Sequence, residues 1–577
     1  MVGTQVWRPA APGVRTSLRR QGAATLLLLG LGLLVVYPTA FLLYGSLYSA
    51  PPGDPGSLTA QGYRALWSGE NLQILLETFG FALAGSGAGL ALGLALGWVV
   101  ARTDVPWATL WEAVFTLPLF IPPVLMAAAW GMLAAPRAGL LNAAFRALFG
   151  GEGPFNVYSV GGVVWYLVQY STAFQLSVLT GPLRAFDATL EDAGRVCGAS
   201  RWRTFWLVVL PVMYPVISNA FLYSFVRGFE SFEGPLLLGL PAGIRMLATQ
   251  IYEVIHQRHR PDYPLATAMG VVALLLTAPL VWLQWQMQRR GVFVSITGRG
   301  YAPKPVRLRR WRWVVFGGCL LYALLVVGLP VGQLVLGSFL RFFGLYGANA
   351  WTLQHYQRVL RDPFVLGALR NTLLLGVVGA TLAMLLGAAV AYVSVRSRAA
   401  GWVRAGVNLL SWIPLLMPGV VLGVAFLWAY AFLPRSISLY GTVWALLFAY
   451  VTLCLPVASR VNAGAFAQVS GELEECARVC GADGWRTFWS VVARLVWPSV
   501  AVSWILSFVL IVREVSASIM LAAPGAQVLS VSIVYLWGQG RLEEVCVVAV
   551  LVLVPIFLGR YLVGRLQRAE LRRGSAG

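Results

Sequence analysis

The sequence predicts an all-α polytopic membrane protein with about twelve transmembrane helices in two homologous six-helix halves. Of its 577 residues, 58% are hydrophobic and only 11% are charged, a composition that would cover a soluble domain with one continuous apolar surface. Apolar runs of about 20 residues, the length that crosses a bilayer, recur along the whole chain. Residues 190–209 return at 473–492 with 14 of 20 positions identical. A duplicated membrane-spanning unit explains this repeat.

Each predicted span is an apolar run that ends in polar or turn-forming residues. Arginines cluster in the two terminal tails and in short loops beside the spans, which places both termini in the cytoplasm by the positive-inside rule. The formal net charge of +21 therefore indicates membrane topology rather than nucleic-acid binding. The predicted spans cover residues 23–48, 74–101, 113–134, 161–181, 207–229, 265–285, 314–339, 366–395, 407–432, 440–461, 495–511 and 545–566.

The two halves correspond well beyond the repeated segment. Arg102 matches Arg396 at an offset of 294, whereas the repeated segment itself has an offset of 283. The basic, loop-forming stretch 289–312 is the natural boundary, so we divide the chain into transmembrane domains of residues 1–300 and 301–577. This pattern fits two membrane halves related by a pseudo-twofold axis along the membrane normal.

Prolines at matching positions interrupt the third and ninth predicted spans. Pro118 and Pro122 correspond to Pro414 and Pro418 at an offset of 296, and Pro123 adds a further interruption in the first half. We expect these prolines to kink or break the helices. Broken helices in transport proteins often line a cavity; a simple kink against neighbouring helices is the alternative.

Each copy of the repeated segment is polar and Arg-bearing within apolar surroundings. In the first copy Glu191 and Asp192 open a short predicted helix, where acidic groups favour the helix dipole. Gly198 then permits a sharp turn. A second short helix follows, on which Trp202, Phe205 and Trp206 form one aromatic face. Such a segment fits the lipid interface, but one copy in each half favours docking to a two-fold cytoplasmic partner.

The repeated segment resembles the cytoplasmic EAA loop of binding-protein-dependent ABC transporter permeases, roughly E-A-A-x3-G followed nine residues later by I-x-L-P. The second copy departs from this pattern, because Ala493 and Arg494 replace its Leu-Pro end, and a different exit from that loop is expected. The first copy supplies the pattern through Asp192, Ala193, Gly194, Gly198, Val208, Leu210 and Pro211, and the second through Glu475, Cys476, Ala477 and Gly481.

This resemblance covers nearly the whole chain and implies a fused permease like those of type I ABC importers. Coupling loops at residues 183–208 and 465–492 would then lie in clefts on two cytoplasmic ABC ATPase subunits. A multi-pass location in the bacterial inner membrane is implied as well. The implied ATPase-coupling residues are Glu191, Asp192, Ala193, Gly194, Gly198, Ala199, Glu474, Glu475, Ala477, Gly481 and Ala482.

The segments after the fifth and eleventh spans look like those of the ferric-iron import group within this family. They read ESFEGPLLLGLPAGIRMLATQIY from Glu230 and REVSASIMLAAPGAQVLSVSIVY from Arg513. Thiamine, phosphonate and polyamine permeases are close relatives, so their substrates remain alternatives to ferric iron. The resemblance also implies an extracytoplasmic solute-binding protein that selects the substrate.

The chain contains no G-x4-G-K-[ST] phosphate loop. We therefore expect ATP to be used by a partner subunit, and this chain to be a transport permease without a bound cofactor. An integral membrane enzyme is disfavoured, because no HExxH, GxSxG or matched inward carboxylate pair is present. An ion-coupled secondary transporter fits twelve spans in two repeats, but few ionisable residues lie within the spans.

Three acidic residues lie closest to the hydrocarbon: Glu230 and Glu233 near the fifth span, and Glu514 near the eleventh. Ionisable groups at such depth usually face a cavity or a partner, so these carboxylates are candidates for a translocation path for ferric iron. Pairing with Arg227 or Arg513 is the favoured alternative, since an unpaired buried charge is costly. We interpret all six cysteines as packing residues and expect no metal site.

Overall fold

The computed structural model describes residues 14–186, 188–290, 305–347, 350–397, 399–434, 436 and 438–574. Within these ranges the regular secondary structure is helical, and the extended contacts are isolated bridges such as the one between Tyr48 and Leu58. The predicted all-α class is therefore confirmed.

The first half consists of long apolar helices joined by shorter ones. Helix α8 begins after Ser159, whose hydroxyl accepts a hydrogen bond from the backbone N–H of Gly162 at 3.2 Å, the usual N-cap interaction. The helices are α1 (Val14–Leu31), α2 (Tyr37–Ser46), α3 (Gln61–Leu66), α4 (Gly69–Arg102), α5 (Ala108–Phe115), α6 (Pro123–Leu133), α7 (Leu140–Phe149), α8 (Val160–Ala185), α9 (Ala188–Val196), α10 (Arg201–Thr204), α11 (Leu210–Phe229), α12 (Leu247–His256) and α13 (Tyr263–Arg290).

The second half repeats this order, except that among the described residues it has no counterpart of α7 and has a short helix, α24 (Ser516–Leu521), where the first half has the π-helical turn Pro235–Gly239. Asp362 caps α17 by accepting a hydrogen bond from the N–H of Phe364 at 3.0 Å, and Pro363 occupies the first helical position, which suits its fixed φ. The helices are α14 (Arg312–Ala323), α15 (Leu329–Phe339), α16 (Gln354–Val359), α17 (Pro363–Val395), α18 (Gly401–Trp412), α19 (Gly419–Ala431), α20 (Val443–Gln468), α21 (Gly471–Val479), α22 (Gly484–Thr487), α23 (Ala493–Val512), α24 (Ser516–Leu521), α25 (Leu529–Gly538) and α26 (Leu542–Gly574).

The spans that qualify by length and composition are fewer than the twelve predicted. In the described ranges, eight helices are long and apolar enough to cross a membrane, or up to ten if each of two bent pairs is one span. The bent pairs turn by 98° between Ala108–Leu119 and Pro123–Leu133, and by 112° between Gly401–Leu416 and Gly419–Ala431. The prolines thus break the third and ninth spans. The remaining two predicted spans coincide with α8 and α26, of 26 and 33 residues.

Small residues bring the long helices of each half close together. A Cβ atom at Gly89 of α4 would lie 2.4 Å from the Cβ of Ser171 on α8. Between the corresponding helices of the second half, a Cβ at Gly387 of α17 would lie 2.7 Å from the Cβ of Ala458 on α20. Both spacings are too short for a side chain, so glycine sets the approach of the two helices, as small residues do in lipid.

The first helices of each half pack on the opposite half. Helices α1 and α2 contact α18 and α19, and Leu31 lies in one buried apolar cluster with Val407. Helices α14 and α15 contact α5 and α6, where the ring centroid of Tyr322 lies 5.2 Å from that of Phe115. This exchange locks the two halves into one unit.

The predicted domain boundary between residues 300 and 301 lies outside the described residues. Just after it, the N–H of Val306 donates to the carbonyl of Arg102 at 2.7 Å, and the N–H of Leu308 donates to the carboxylate of Asp104 at 2.8 Å. The chain that enters the second half is therefore hydrogen-bonded to the end of α4.

Candidate functional site

The two repeated segments fold into the same pair of short helices joined by a glycine turn. Gly198 and Gly481 both adopt a φ of +83°, a left-handed conformation that glycine adopts without strain. The N–H of Cys197 donates to the carbonyl of Ala193 at 3.0 Å, and the equivalent bond ends α21 at Cys480. The sharp turn expected from the sequence is therefore present in both loops.

Within each loop, neighbouring acidic residues face opposite directions. Glu191 is buried and forms an ion pair with Arg102, whereas the adjacent Asp192 is exposed. In the second loop Glu474 pairs with Arg396 at 2.6 Å, and Glu475 is exposed. Asp192 and Glu475 thus belong to the outward surface of the loops, while Glu191 and Glu474 face the helix bundle.

Exposed apolar side chains mark the outward surface of the loops. Val196 and Val479, at equivalent positions before the turns, are 89% and 85% exposed. The two valines occupy matched positions and are available for contact with a partner. The tips also carry Cys197, Cys476 and Cys480, which are exposed. Our interpretation of the cysteines as packing residues is therefore wrong for these three, because no element in the described part of the chain covers them.

The two loops leave toward the membrane through the same backbone shape. Each second short helix continues into a π-helical turn, Phe205–Val209 in the first half and Phe488–Val492 in the second, and then into α11 or α23. Leu210-Pro211 follows the π-helical turn of the first half, and Ala493-Arg494 follows that of the second. The backbone shape of the turn is the same in both halves. The different exit expected from the missing Leu-Pro is thus wrong at the level of the backbone.

A cavity of about 320 Å³ lies between the halves, beside the broken third span. The break frees backbone carbonyls, and side chains that line the cavity bind them. The hydroxyl of Tyr170 donates to the carbonyl of Ile121 at 3.1 Å, and Arg513 donates to the carbonyl of Leu119. Interrupted helices persist at membrane depth when their carbonyls are satisfied in this way. The two breaks therefore line a cavity, as one of the two sequence interpretations held, and among the prolines Pro123 and Pro414 contribute to its wall.

The three predicted path carboxylates all line this cavity. Glu230 pairs with Arg227 at 2.8 Å, and its other oxygen has no hydrogen-bond partner among the described residues. Glu514 accepts a hydrogen bond from the N–H of Ala517 at 2.8 Å. The pairing proposed as the alternative to a path role is thus present for Glu230, whose second oxygen is buried without a hydrogen-bond partner among the described residues.

Glu233 lies on the pseudo-twofold axis. Its carboxylate accepts a hydrogen bond from the hydroxyl of Ser516 at 3.0 Å, and the two residues are 283 apart in sequence. Because 283 is also the offset of the repeat at this point, these are equivalent positions of the two halves in direct contact. Residues at equivalent positions of the two halves touch each other only beside the symmetry axis, so the axis passes through the cavity that both residues line.

The carboxylates around the axis do not form a compact metal site. Across the part of the chain that the structure describes, no group of three or more His, Cys, Asp or Glu residues is placed to hold a metal ion. Sequence reasoning found the carboxylates but missed the tyrosines and Ser516. The run of prolines could have indicated the tyrosines, because each helical turn that proline breaks leaves backbone carbonyls that need side-chain hydrogen-bond donors.

The family model for the binding-protein-dependent transport system inner membrane component matches residues 89–290 and again residues 379–571. The chain belongs to this family. The two matches confirm the duplication predicted from the sequence and the resemblance to these permeases. The chain is accordingly a multi-pass inner membrane protein and a transport subunit rather than an enzyme.

Two relatives align with most of the chain. The ferric transport system permease protein FbpB of Actinobacillus pleuropneumoniae is 24% identical over 520 residues, covering 88% of this chain and 72% of the relative. A putative ferric transport system permease protein of Haemophilus influenzae is 24% identical over 501 residues, covering 86% and 76%.

A relative that aligns with about half of the chain is the putrescine transport system permease protein PotI of Escherichia coli K12. It is 26% identical over 280 residues, covering 46% of this chain and 96% of the relative. Among solved structures, a bacterial ABC transporter that imports the polysaccharide alginate is similar, with a TM-score of 0.36 and 18% identity, covering 41% of this chain and 85% of that chain.

Proposed function

We propose that this chain forms the translocation path of an ATP-driven ABC importer for ferric iron. The observation that carries the proposal is the cavity on the pseudo-twofold axis, lined by Glu230, Glu233 and Glu514. Similarity to two ferric transport permeases over most of the chain supports the choice of substrate. Carboxylate oxygens are hard ligands and suit a small, highly charged cation.

The placement of these carboxylates suits passage rather than storage. One oxygen of Glu230 is buried without a hydrogen-bond partner among the described residues, and Glu233 accepts a hydrogen bond from the hydroxyl of Ser516. A cation that meets separate ligands one after another binds well enough to enter and weakly enough to leave. The absence of a compact metal cluster in the described part of the chain supports this mode.

The driving force would come from two cytoplasmic ABC ATPase subunits docked on loops 183–208 and 465–492. The matched shape of the loops and the exposure of Val196 and Val479 support one docking site in each half. ATPase closure would draw the loops together and rock the halves, which opens the axial cavity toward an extracytoplasmic solute-binding protein. Both termini of the chain would then lie in the cytoplasm.

Ligand-dependent ATP hydrolysis tests the substrate. The permease is reconstituted in nanodiscs with its ATPase subunits, and candidate binding proteins loaded with ferric iron, putrescine, thiamine or a phosphonate are added. We expect stimulation by the ferric-loaded protein alone. Stimulation by the putrescine-loaded protein instead would assign the chain to polyamine import, an outcome that the similarity to PotI makes worth measuring.

A further inference from the structure

One arginine in the first half joins three elements at the base of the coupling loop. Arg102, the last residue of α4, donates to the carbonyls of Leu183 at 3.3 Å and Phe186 at 3.5 Å, which end α8. The same guanidinium forms the ion pair with Glu191 on α9. We call this set the first clamp.

The second half contains the same arrangement. Arg396, which follows α17, donates to the carbonyls of Phe466 at 3.0 Å and of Val469, which end α20, and pairs with Glu474 of α21 at 2.6 Å. The two arginines are 294 residues apart, and the other three pairs of equivalent residues are each 283 apart. These are the offsets of the repeat. We call this set the second clamp.

Both clamps are shielded from water, the first more completely. The side chains of Arg102 and Glu191 are 4% and 11% exposed, against 14% and 22% for Arg396 and Glu474. In the first clamp the guanidinium also lies 5.3 Å from the ring centroid of Trp98. In the second, Glu474 has an additional cation, Arg478, at 3.4 Å. Removing the first arginine therefore leaves a buried charge without compensation, a more severe change than the same removal in the second clamp.

We propose that Arg102 and Arg396 are positioning residues for energy coupling, which make each coupling helix rigid with respect to the two helices that end beside it. Without this tie, α9 and α21 would be held to the bundle mainly through the chain on either side of them, and a force on the loop tip would bend the loop. With the tie, the same force moves α4 and α8, or α17 and α20, as rigid elements. The proposal rests on the docking of ATPase subunits to these loops.

The second clamp offers the cleaner test, because its partial exposure makes folding failure a smaller risk. The complete transporter is reconstituted in liposomes with Arg396→Gln, Glu474→Gln, or Arg404→Gln as the control, an exposed arginine on the nearby α18. ATPase co-purification, ATP hydrolysis and uptake of radioactive ferric iron per ATP hydrolysed are measured with the ferric-loaded binding protein. A merely stabilising contact would alter assembly but not uptake per ATP.

We expect Arg396→Gln and Glu474→Gln to assemble and hydrolyse ATP, with uptake per ATP lowered by about 2- to 30-fold, the range for residues that couple distant sites. Arg404→Gln should behave as the unmodified transporter. If the glutamine variants fail to assemble, Arg396→Lys keeps the pair with Glu474 while losing the fork that reaches both carbonyls, and it should show a smaller fall. Uptake per ATP equal to the unmodified transporter in the assembled variants would overturn the clamp proposal. An unmodified transporter without ATP-dependent uptake would instead overturn the proposed function.

Discussion

The glycine turns of the coupling loops permit a prediction whose size follows from the structure. Gly198 and Gly481 both adopt a φ of +83°, and a Cβ atom at either position would meet nothing within 4 Å. Alanine at either position adds no steric clash. The free-energy cost of Gly198→Ala or Gly481→Ala is therefore only that of holding an alanine in the left-handed backbone conformation, about 1–2 kcal/mol. If docking holds the loop in this conformation while the free loop can relax away from it, each substitution should weaken ATPase binding by about 5- to 30-fold.

Titration of purified ATPase subunits onto the permease in nanodiscs measures this effect. Asparagine tolerates the left-handed region better than alanine, so Gly198→Asn should bind the ATPase more tightly than Gly198→Ala. Gly464→Ala is the control, because this glycine lies within α20 and a Cβ atom there also meets nothing within 4 Å. Equal affinities for the Ala, Asn and unmodified proteins would show that docking does not impose the left-handed turn on the loop.

Three further predictions concern the packing of α4 against α8, the translocation path and the wall of the axial cavity. Gly89→Ala should destabilise the fold by about 1–3 kcal/mol, because the added methyl group overpacks against Ser171. Gly87→Ala is the control, since a Cβ atom there meets nothing within 4 Å. Equal melting temperatures for the two variants would contradict the close contact between α4 and α8. Glu233→Gln should lower ferric uptake with ATPase assembly retained, and unchanged uptake would remove Glu233 from the path. Tyr170→Phe should cost ~0.6 kcal/mol, typical of a hydrogen bond within a membrane protein, and unchanged melting would argue against its bond to a carbonyl of the broken span.

Local patterns made much of the fold predictable. Apolar run length located the helices, matched prolines located the two broken spans, and a glycine within each polar repeat located each turn. These signals work because span length, proline geometry and left-handed glycine are set by a few consecutive residues. The two breaks occur where prolines lie within a few residues of one another and each removes a backbone hydrogen-bond donor, whereas the single internal prolines Pro182 of α8 and Pro456 of α20 leave those helices continuous.

Contacts between distant parts of the chain were not predictable. Arg102 and Glu191 are 89 residues apart, and Arg396 and Glu474 are 78 apart. The repeat showed that the two arginines are equivalent, but nothing in the sequence indicated that they pair with these glutamates. The exchange of α1–α2 and α14–α15 between the halves was hidden for the same reason, since an apolar helix carries no mark of which apolar surface it meets. Glu191 consequently looked like an outward acid of the coupling loop, although it faces inward.

Uptake into sealed liposomes tests the central claim most directly. The permease, its ATPase subunits and the ferric-loaded binding protein are reconstituted so that ATP and a proton gradient can be supplied separately. We predict that ferric iron accumulates only when ATP is present on the ATPase side and that a proton gradient alone drives no uptake. Accumulation driven by the gradient in liposomes that lack the ATPase would contradict the account and identify the chain as a secondary transporter.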